Sequence, residues 1–257
     1  EDDLLNKHGY KVACQTCHIP EYAKVNATKL RWDWSTAGKL RDGKPYEEED
    51  GDGNHAYLSI KGTFTWGKDV VPEYAWFDGT ASHYLLGETF DPSRPLVLNP
   101  LGGEYDVPEA KVAPVKVHRA RQIYDTKRRV LVQPKLFSAA PGDGGYWGDF
   151  DWNAAAAAGM KEVGLPYSGS YGFAETEMNW PVNHMVAPKE KAVSCEECHA
   201  REGGRLAKVG GFYLPGRDRS RFLDGLGTTL LLATLGAVVV HGGARIWFRR
   251  RRHAGGK

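Results

Sequence analysis

The hydrophobic pattern of the chain is dominated by one segment near its C-terminal end. Residues 225–248 form a run of 24 positions in which only His241 and Arg245 are ionisable. About 20 consecutive apolar residues are enough for a helix to cross the hydrocarbon core of a bilayer. The sequence therefore predicts one transmembrane helix at about 225–248.

The remaining residues show only short apolar stretches between glycines and prolines. The chain contains 31 Gly and 14 Pro, and 41% of its residues are hydrophobic. Such punctuation favours turns and loops over long regular elements. We therefore predict a loop-rich fold that is mainly α with a few short β pieces, together with the C-terminal transmembrane helix.

Local signals predict where the short elements lie. Ile19, Pro20 and Glu21 are typical of the first turn of a helix. Asn153 is expected to cap a helix over 153–163, which Gly164 would end. Short β pieces are predicted at 63–66 and 74–77, and an irregular, extended chain is predicted at 91–117.

Charge differs on the two sides of the predicted membrane helix. Of 34 basic residues, six lie from Arg245 onward with no acidic neighbour, which leaves 28 basic against 32 acidic residues elsewhere. The positive-inside rule therefore predicts a cytoplasmic C-terminus on a cell-membrane protein. We expect an extracytoplasmic, periplasmic domain at 1–220 and a membrane anchor with a basic tail at 221–257. Nothing in the charge pattern indicates a nucleic-acid partner.

The four cysteines lie in two copies of one motif, C-x-x-C-H, at 14–18 and 195–199. In c-type cytochromes the two cysteines of this motif form thioethers to the haem and the histidine ligates the iron. The sequence therefore predicts two covalently attached c haems. Their cofactor-binding residues are Cys14, Cys17, His18, Cys195, Cys198 and His199.

Paired C-x-x-C motifs are also found in structural zinc sites and in redox dithiols. A histidine directly after each second cysteine favours haem over both alternatives. The long stretch of chain between the two motifs also exceeds the usual spacing of a zinc ribbon.

Three other histidines are candidate iron ligands on the face opposite His18 and His199. His8 precedes Cys14 and could serve either iron. The neighbouring arginines of His118 could pair with haem propionates. His184 lies shortly before Cys195, and the alternatives to it as a ligand are Met178 and Met185.

Two further segments carry candidate ligands. His241 is costly in lipid, and it could ligate a b haem shared with a membrane partner, face a quinone site, or pack against another helix. The acidic segment 41–54 has oxygen ligands that calcium prefers, but its spacing does not match an EF-hand loop, so a solvated loop is favoured.

The start of the sequence lacks the basic and apolar regions of a signal peptide. Haem is attached to c-type cytochromes outside the cytoplasm. We therefore expect an export signal that has been removed, or a longer polypeptide of which this chain is a part.

Several runs of residues occur in collinear order over most of positions 8–205. They are HGYKVACQTCHIP at 8–20, KGTFTW at 61–66, VPEYAWF at 71–77, YLLG at 84–87, KVHR at 116–119, LPYSG at 165–169, ETEM at 175–178 and HMV at 184–186. Together they resemble the C-terminal part of the octahaem tetrathionate reductase family of c-type cytochromes.

The resemblance implies more haems than this sequence can attach. The family has eight haems, and its catalytic haem takes a lysine ligand through a C-x-x-C-K motif in the N-terminal part. This sequence has two haem motifs and no C-x-x-C-K. The resemblance thus implies that a partner chain, or the rest of a longer protein, carries the other haems.

Two functional hypotheses follow. The first is a membrane-anchored dihaem electron-transfer subunit of a larger multihaem complex, which links a membrane cytochrome b or the quinone pool to a periplasmic multihaem partner. The alternative is part of a reductase that acts on sulfur or nitrogen oxyanions, such as tetrathionate or nitrite, or on hydroxylamine, with catalysis at a haem.

Overall fold

The structure is a computed structural model. It describes the backbone of residues 2–254 and the side chains of that range except those of residues 2, 4 and 252–254. Arg252 and Lys257, which belong to the predicted basic tail, therefore lie outside the described side chains.

Nine strands and six α-helices make up the regular structure of the described residues. The strands are β1 (Thr28–Asp33), β2 (Glu47–Glu49), β3 (His55–Leu58), β4 (Gly62–Gly67), β5 (Glu73–Phe77), β6 (Leu96–Val97), β7 (Lys111–Asp125), β8 (Val130–Leu131) and β9 (Tyr171–Pro181). The helices are α1 (Asp2–His8), α2 (Cys14–His18), α3 (Tyr146–Asp149), α4 (Trp152–Glu162), α5 (Cys195–Cys198) and α6 (Arg221–Ala254).

All nine strands join one mixed sheet, in the order β2-β3-β4-β1-β7-β9-β6, with β5 and β8 also paired to β7. The pairs β1–β7 and β6–β9 are parallel, and the other pairs are antiparallel. The prediction of a mainly α fold is therefore wrong. The short β pieces predicted at 63–66 and 74–77 are confirmed as β4 and β5. The other strands are stabilised by partners far away in the sequence, so local patterns give little sign of them.

Strand β7 is the centre of the sheet. It pairs with β9 from Val115↔Pro181 to Asp125↔Tyr171 and also contacts β1, β5 and β8. Part of β7 lies in segment 91–117, which was predicted to be irregular because of its prolines. Pro114 has no N–H, but its carbonyl oxygen accepts a hydrogen bond from the Val182 amide (2.9 Å). The strand therefore tolerates Pro114, because only its donor is lost.

The helix predicted to begin at Ile19–Glu21 does not form. Ile19 is fully buried, and Tyr22 pairs with Val70 in an antiparallel bridge. Long-range pairing thus takes the place of the local helical signal.

Helix α4 lies within one residue of its predicted bounds. Its N-cap is Asp151 rather than Asn153, because the Asp151 carboxylate accepts hydrogen bonds from the amides of Asn153 (2.8 Å) and Ala154 (3.1 Å). Gly164, which follows the helix, has a φ of +71°. This conformation suits the glycine that ends many helices.

The buried residues form three clusters. The largest packs α4 against the far end of β7 and includes Ile123, Trp152 and Met160. A second cluster forms around Ile19 directly after α2, and a third around Leu206 directly after α5. The two C-x-x-C-H motifs are thus each followed by their own small core.

Helix α6 confirms the helix predicted over 225–248. Its segment Arg221–Arg251 is long and apolar enough to cross a membrane, with a mean hydropathy of 1.8 and none of it buried. At a rise of about 1.5 Å per residue, the whole helix measures roughly 50 Å. The structure thus supplies an unburied apolar helix of sufficient length, and its insertion into a membrane stays a prediction.

Helix α2 is attached to β7 through backbone groups and one buried side chain. The Thr16 side chain, in the middle of the first motif, is 1% exposed and its hydroxyl donates to the Val112 carbonyl oxygen (2.7 Å). The Ala13 amide donates to the same oxygen (2.9 Å), and the Val112 amide donates to Lys11 (2.8 Å). These contacts set where α2 presents its cysteines.

We expect Thr16→Val to lower the free energy of unfolding by about 0.5–1.5 kcal/mol, because valine keeps the shape but loses one buried hydrogen bond. Thr65→Val, at an exposed position of β4, is the matched control and should change stability little. Urea denaturation followed by circular dichroism measures both. Equal effects of the two substitutions would contradict this role of Thr16.

Candidate haem sites

The first motif forms the single turn α2 and leaves its thiols accessible. Cys14 is exposed and Cys17 is half-buried. The Nδ1 atom of His18 lies 3.2 Å from the carbonyl oxygen of Ala187. Because a carbonyl oxygen can only accept, Nδ1 must carry the proton in this contact, and the lone pair of Nε2 is then available to a metal.

The second motif repeats this arrangement at α5. Ser194 and Glu197 form a capping box at the start of the turn. The Nδ1 atom of His199 lies 2.9 Å from the carbonyl oxygen of Pro215. His199, like His18, is thus held in the tautomer that leaves Nε2 for a metal.

The turn that presents Pro215 to His199 requires glycine at the next position. Gly216 has a φ of +96°, and a Cβ atom built there would lie 1.9 Å from the carbonyl oxygen of His199. Side chains other than hydrogen would therefore push the turn away from the motif.

Arg217 holds the same turn in place. Its guanidinium donates to the carbonyl oxygens of Leu206 (3.1 Å), Val209 and Phe212 (2.8 Å). It also forms an ion pair with Asp218 (2.7 Å). The segment from Leu206 to Asp218 is thus closed around one arginine side chain.

The imidazole rings of His8 and His199 are neighbours. Their centroids are 6.1 Å apart and the ring planes are inclined at 89°. With metal–nitrogen bonds of about 2 Å, and about 1 Å from each nitrogen to its ring centre, an imidazole–metal–imidazole arrangement separates the centroids by about 6 Å. The separation of the two rings therefore matches that of two imidazole ligands of one iron, and it brings His8 beside the second motif.

The two motifs are close to each other. Burial, followed by the charges of Cys195 and Cys14, raises the pKa of the Cys17 thiol. Burial, followed by the charge of Cys17, raises the pKa of Cys198 to about 11. Thiols of different motifs are thus near enough to influence each other's ionisation.

Arg205 links the two motifs directly. Its guanidinium binds the Glu197 carboxylate inside the second motif (2.7 and 2.8 Å). It also donates to the carbonyl oxygen of Pro20 (2.7 Å), just after the first motif, and to the hydroxyl of Tyr74 (3.2 Å). The relative position of the two sites is therefore tied to one half-buried side chain.

Within the described part of the chain, no group of three or more His, Cys, Asp or Glu side chains is arranged to hold a bare metal ion. In the acidic segment 41–54, the Asp50 carboxylate accepts from the amides of Asp52 (3.0 Å) and Asn54 (2.9 Å). The Asp50 carboxylate is thus hydrogen-bonded to amides of its own loop.

His118 lies in the middle of β7, and its role as an iron ligand stays a prediction. It lies six residues along β7 from Val112, which corresponds to about 20 Å of strand. Its Nδ1 atom is 3.2 Å from the carbonyl oxygen of Lys29, and burial lowers its pKa, which favours the neutral imidazole. His118 therefore has the tautomer of an iron ligand, at a distance from the first motif.

The arginines beside His118 are paired within the protein. Arg119 binds both carboxylate oxygens of Glu73 (2.7 and 3.0 Å) and one of Glu177 (3.0 Å). Arg121 lies 4.0 Å from Glu175. Neighbouring strands thus already supply carboxylates to these arginines, and their pairing with haem propionates stays a prediction.

His184 lines an open cleft of about 480 Å³ together with Lys116, Trp180 and Met185. None of the motif residues lines this cleft. Along the chain, His184 is three residues before Ala187, the partner of His18. His184 thus lies close in sequence to the residue that contacts His18, while Met178 pairs with His118 across β7 and β9.

Comparison with known proteins agrees with this geometry. Residues 29–202 match the family model described as "Cytochrome c bacterial". The chain belongs to the bacterial cytochrome c family. Covalently bound haem c follows from that membership, and the second motif lies inside the matched residues. The comparison with curated proteins found no match.

A solved structure extends the likeness of this cytochrome to multihaem proteins. The octaheme cytochrome c from Shewanella oneidensis is 45% identical to the chain, with a TM-score of 0.71. The match covers 78% of the present chain and 46% of the Shewanella chain. The cytochrome is thus a multihaem c-type protein that spans about half the length of this relative.

Several residues of these sites were not found from the sequence. Thr16 and Arg205 act through partners that lie far away in the chain. Pro215-Gly216 is a typical turn dipeptide, so the turn itself could have been predicted. That the turn packs on His199 depends on the tertiary structure.

We expect Gly216→Ala to change the absorption and EPR spectra of one haem in the cytochrome, because the added methyl group displaces the Pro215 carbonyl from His199. Gly203→Ala is the matched control: Gly203 also has a positive φ (+67°), but no atom lies within 4 Å of its Cβ position. If both substitutions left the spectra unchanged, the Pro215 contact would not position His199.

Proposed function

We propose that this cytochrome is a membrane-anchored dihaem electron-transfer subunit of a larger multihaem redox complex. It would link a membrane cytochrome b or the quinone pool to a periplasmic multihaem partner. The observation that carries the proposal is the neighbouring pair of His8 and His199. An iron with imidazole on both faces is six-coordinate, so it exchanges electrons without binding substrate.

The residues of the two motifs have distinct roles in this proposal. Cys14, Cys17, Cys195 and Cys198 would hold the haems covalently, and His18 and His199 would ligate the irons. Bound there, haem supplies one-electron chemistry: oxidation of a quinol to the quinone releases two electrons and two protons, and two ferric sites take one electron each. Hydrogen bonds from Nδ1 to Ala187 and Pro215 orient the two imidazoles and raise their basicity.

The closeness of the two sites supports transfer between them. Arg205 contacts the residue after one motif and a residue inside the other. Its guanidinium, paired with the Glu197 carboxylate, would hold the two sites at a fixed separation. A dihaem pair of this kind conducts electrons rather than acting as two separate centres.

The size of the relative supports a partner with more haems. The present chain corresponds to 46% of the octaheme cytochrome c chain. Its sequence also resembles the C-terminal part of the octahaem tetrathionate reductase family. We propose that the other haems are on a second chain or on the remainder of a longer protein, and that helix α6 anchors this end of the assembly in the cell membrane.

The orientation and the membrane contact follow from α6. Its basic C-terminal flank would be cytoplasmic, which puts residues 1–220 on the periplasmic side. His241 lies within the apolar part of this helix. It would be available there to ligate a b haem shared with a membrane partner, or to contact a quinone.

One observation favours the alternative function, a reductase of sulfur or nitrogen oxyanions. The cleft beside His184 is lined by Lys24 and Lys116 and could attract an anion. In that case one iron would be open on the cleft side, and catalysis would take place at that haem.

We expect His8→Ala to convert one of the two haems from low spin to high spin. About half of the low-spin EPR signal should therefore be lost. His83→Ala, at an exposed position far from both motifs in sequence, should leave the signal unchanged. An unchanged low-spin signal in the His8→Ala protein would contradict the assignment of His8 to an iron.

We expect the full chain, purified in mild detergent from its native membranes, to bring with it a protein carrying further c-type haems. Haem staining of a denaturing gel would detect this partner. When nitrite or hydroxylamine is added to the chain separated from this partner, its absorption spectrum should not change. Such a change in the isolated chain would favour the reductase, and absence of any c-type haem would contradict both functions.

A further inference from the structure

The second haem motif is connected to the membrane helix by a very short junction. Pro215, whose carbonyl oxygen contacts His199, is six residues before Arg221, the first residue of α6. Six residues extend at most about 21 Å. The structure therefore holds His199 close to the point where the chain enters the predicted membrane helix.

The junction is hydrogen-bonded along its length. The Leu214 amide donates to the Asp218 carboxylate (2.6 Å), and the Asp218 amide donates to the Leu214 carbonyl oxygen (3.0 Å). Ser220 then caps α6, because its carbonyl oxygen accepts from the Asp224 amide (2.9 Å). Together with the Arg217 contacts, this makes the junction an ordered connection rather than a loose linker.

The outer surface of the junction has the composition of a membrane-facing segment. Tyr213 is 68% exposed and Phe222 is 77% exposed. Two exposed basic residues, Arg219 and Arg221, lie between them in the sequence. Aromatic rings at the level of the headgroups and basic side chains near anionic lipids are typical of residues that flank a membrane helix.

The first motif has no comparable connection to α6. It is attached to β7 through Thr16 and Val112, and it reaches the junction segment through intermediate residues: Arg205 donates to the Pro20 carbonyl oxygen, and Val112 packs against Leu206 and Leu214. The two sites are therefore not equivalent with respect to the membrane.

We propose that residues 213–222 rest on the lipid surface and hold the Cys195–His199 site at the membrane, while the Cys14–His18 site lies on the side away from it. Electrons exchanged with a membrane donor then pass through the Cys195–His199 site. Gly216 and Arg217 act as positioning residues, because they fix the turn that joins His199 to α6. This inference rests on the proposed function.

The test uses the full chain with both haems in nanodiscs of phosphatidylcholine and phosphatidylglycerol that contain a nitroxide-headgroup lipid. Ferric low-spin iron shortens the relaxation time of nearby nitroxides, and reduction to diamagnetic ferrous iron removes the effect. A redox titration read by EPR therefore shows at which midpoint potential the relaxation effect disappears.

Substitutions of the junction identify the potential that belongs to the second site. Gly216→Ala and, independently, Arg217→Gln should shift one of the two midpoint potentials. Arg219→Gln, which removes a charge from the exposed surface two residues away, is the matched control and should shift that potential less. If the Gly216→Ala protein does not fold, Arg217→Gln still identifies the midpoint potential that belongs to the second site.

We expect the relaxation effect in the unsubstituted protein to disappear at the potential that the junction variants shift. If the relaxation effect disappears at the other midpoint potential, or in equal parts at both, the inference is overturned and the proposed function is unaffected. Failure of the chain to enter nanodiscs, or absence of c-type haem, would overturn the proposed function as well.

Discussion

The hydrogen bonds between histidine Nδ1 atoms and backbone carbonyl oxygens are the contacts on which the sites depend. His18 and His199 each have one, to Ala187 and to Pro215. An unanchored imidazole can present either nitrogen and can rotate about two bonds. The carbonyl partner selects the tautomer and the ring orientation, so that Nε2 is ready for iron before haem arrives.

The sheet supplies the rigid frame for these contacts. Strand β7 pairs with four other strands and holds α2 through the carbonyl group of Val112. In a small protein with many loops, the position of a single-turn helix is set by its neighbours rather than by its own stability. The cysteines of the first motif are thus positioned by a strand almost 100 residues away in sequence.

The arginine side chains of this protein have two kinds of partner. The arginines of β7 are neutralised by carboxylates of β5 and β9, on adjacent strands. Arg205 instead joins the two motifs. Arg205 pairs with Glu197 inside the second motif and donates to the Pro20 carbonyl oxygen beside the first, whereas the arginines of the sheet mainly stabilise strand pairing.

The sequence alone determined the chemistry of this protein. Two C-x-x-C-H motifs identify covalent haem, and the apolar run at 225–248 identifies a helix long enough for a membrane, because both signals are local and need no distant partner. Helix α4 was predictable for the same reason. The C-x-x-C-H spacing also names His18 and His199 as ligands, since they adjoin their cysteines.

Only the tertiary structure decided how these parts meet. The sequence predicted β4 and β5 but not the sheet as a whole, because its strands pair with residues far away in the chain, and the first turn predicted after His18 gave way to such pairing. His8 precedes the first motif in sequence but lies beside His199 of the second, with 6.1 Å between the ring centroids. No local pattern encodes that contact, because it is produced by the packing of segments that lie at opposite ends of the domain.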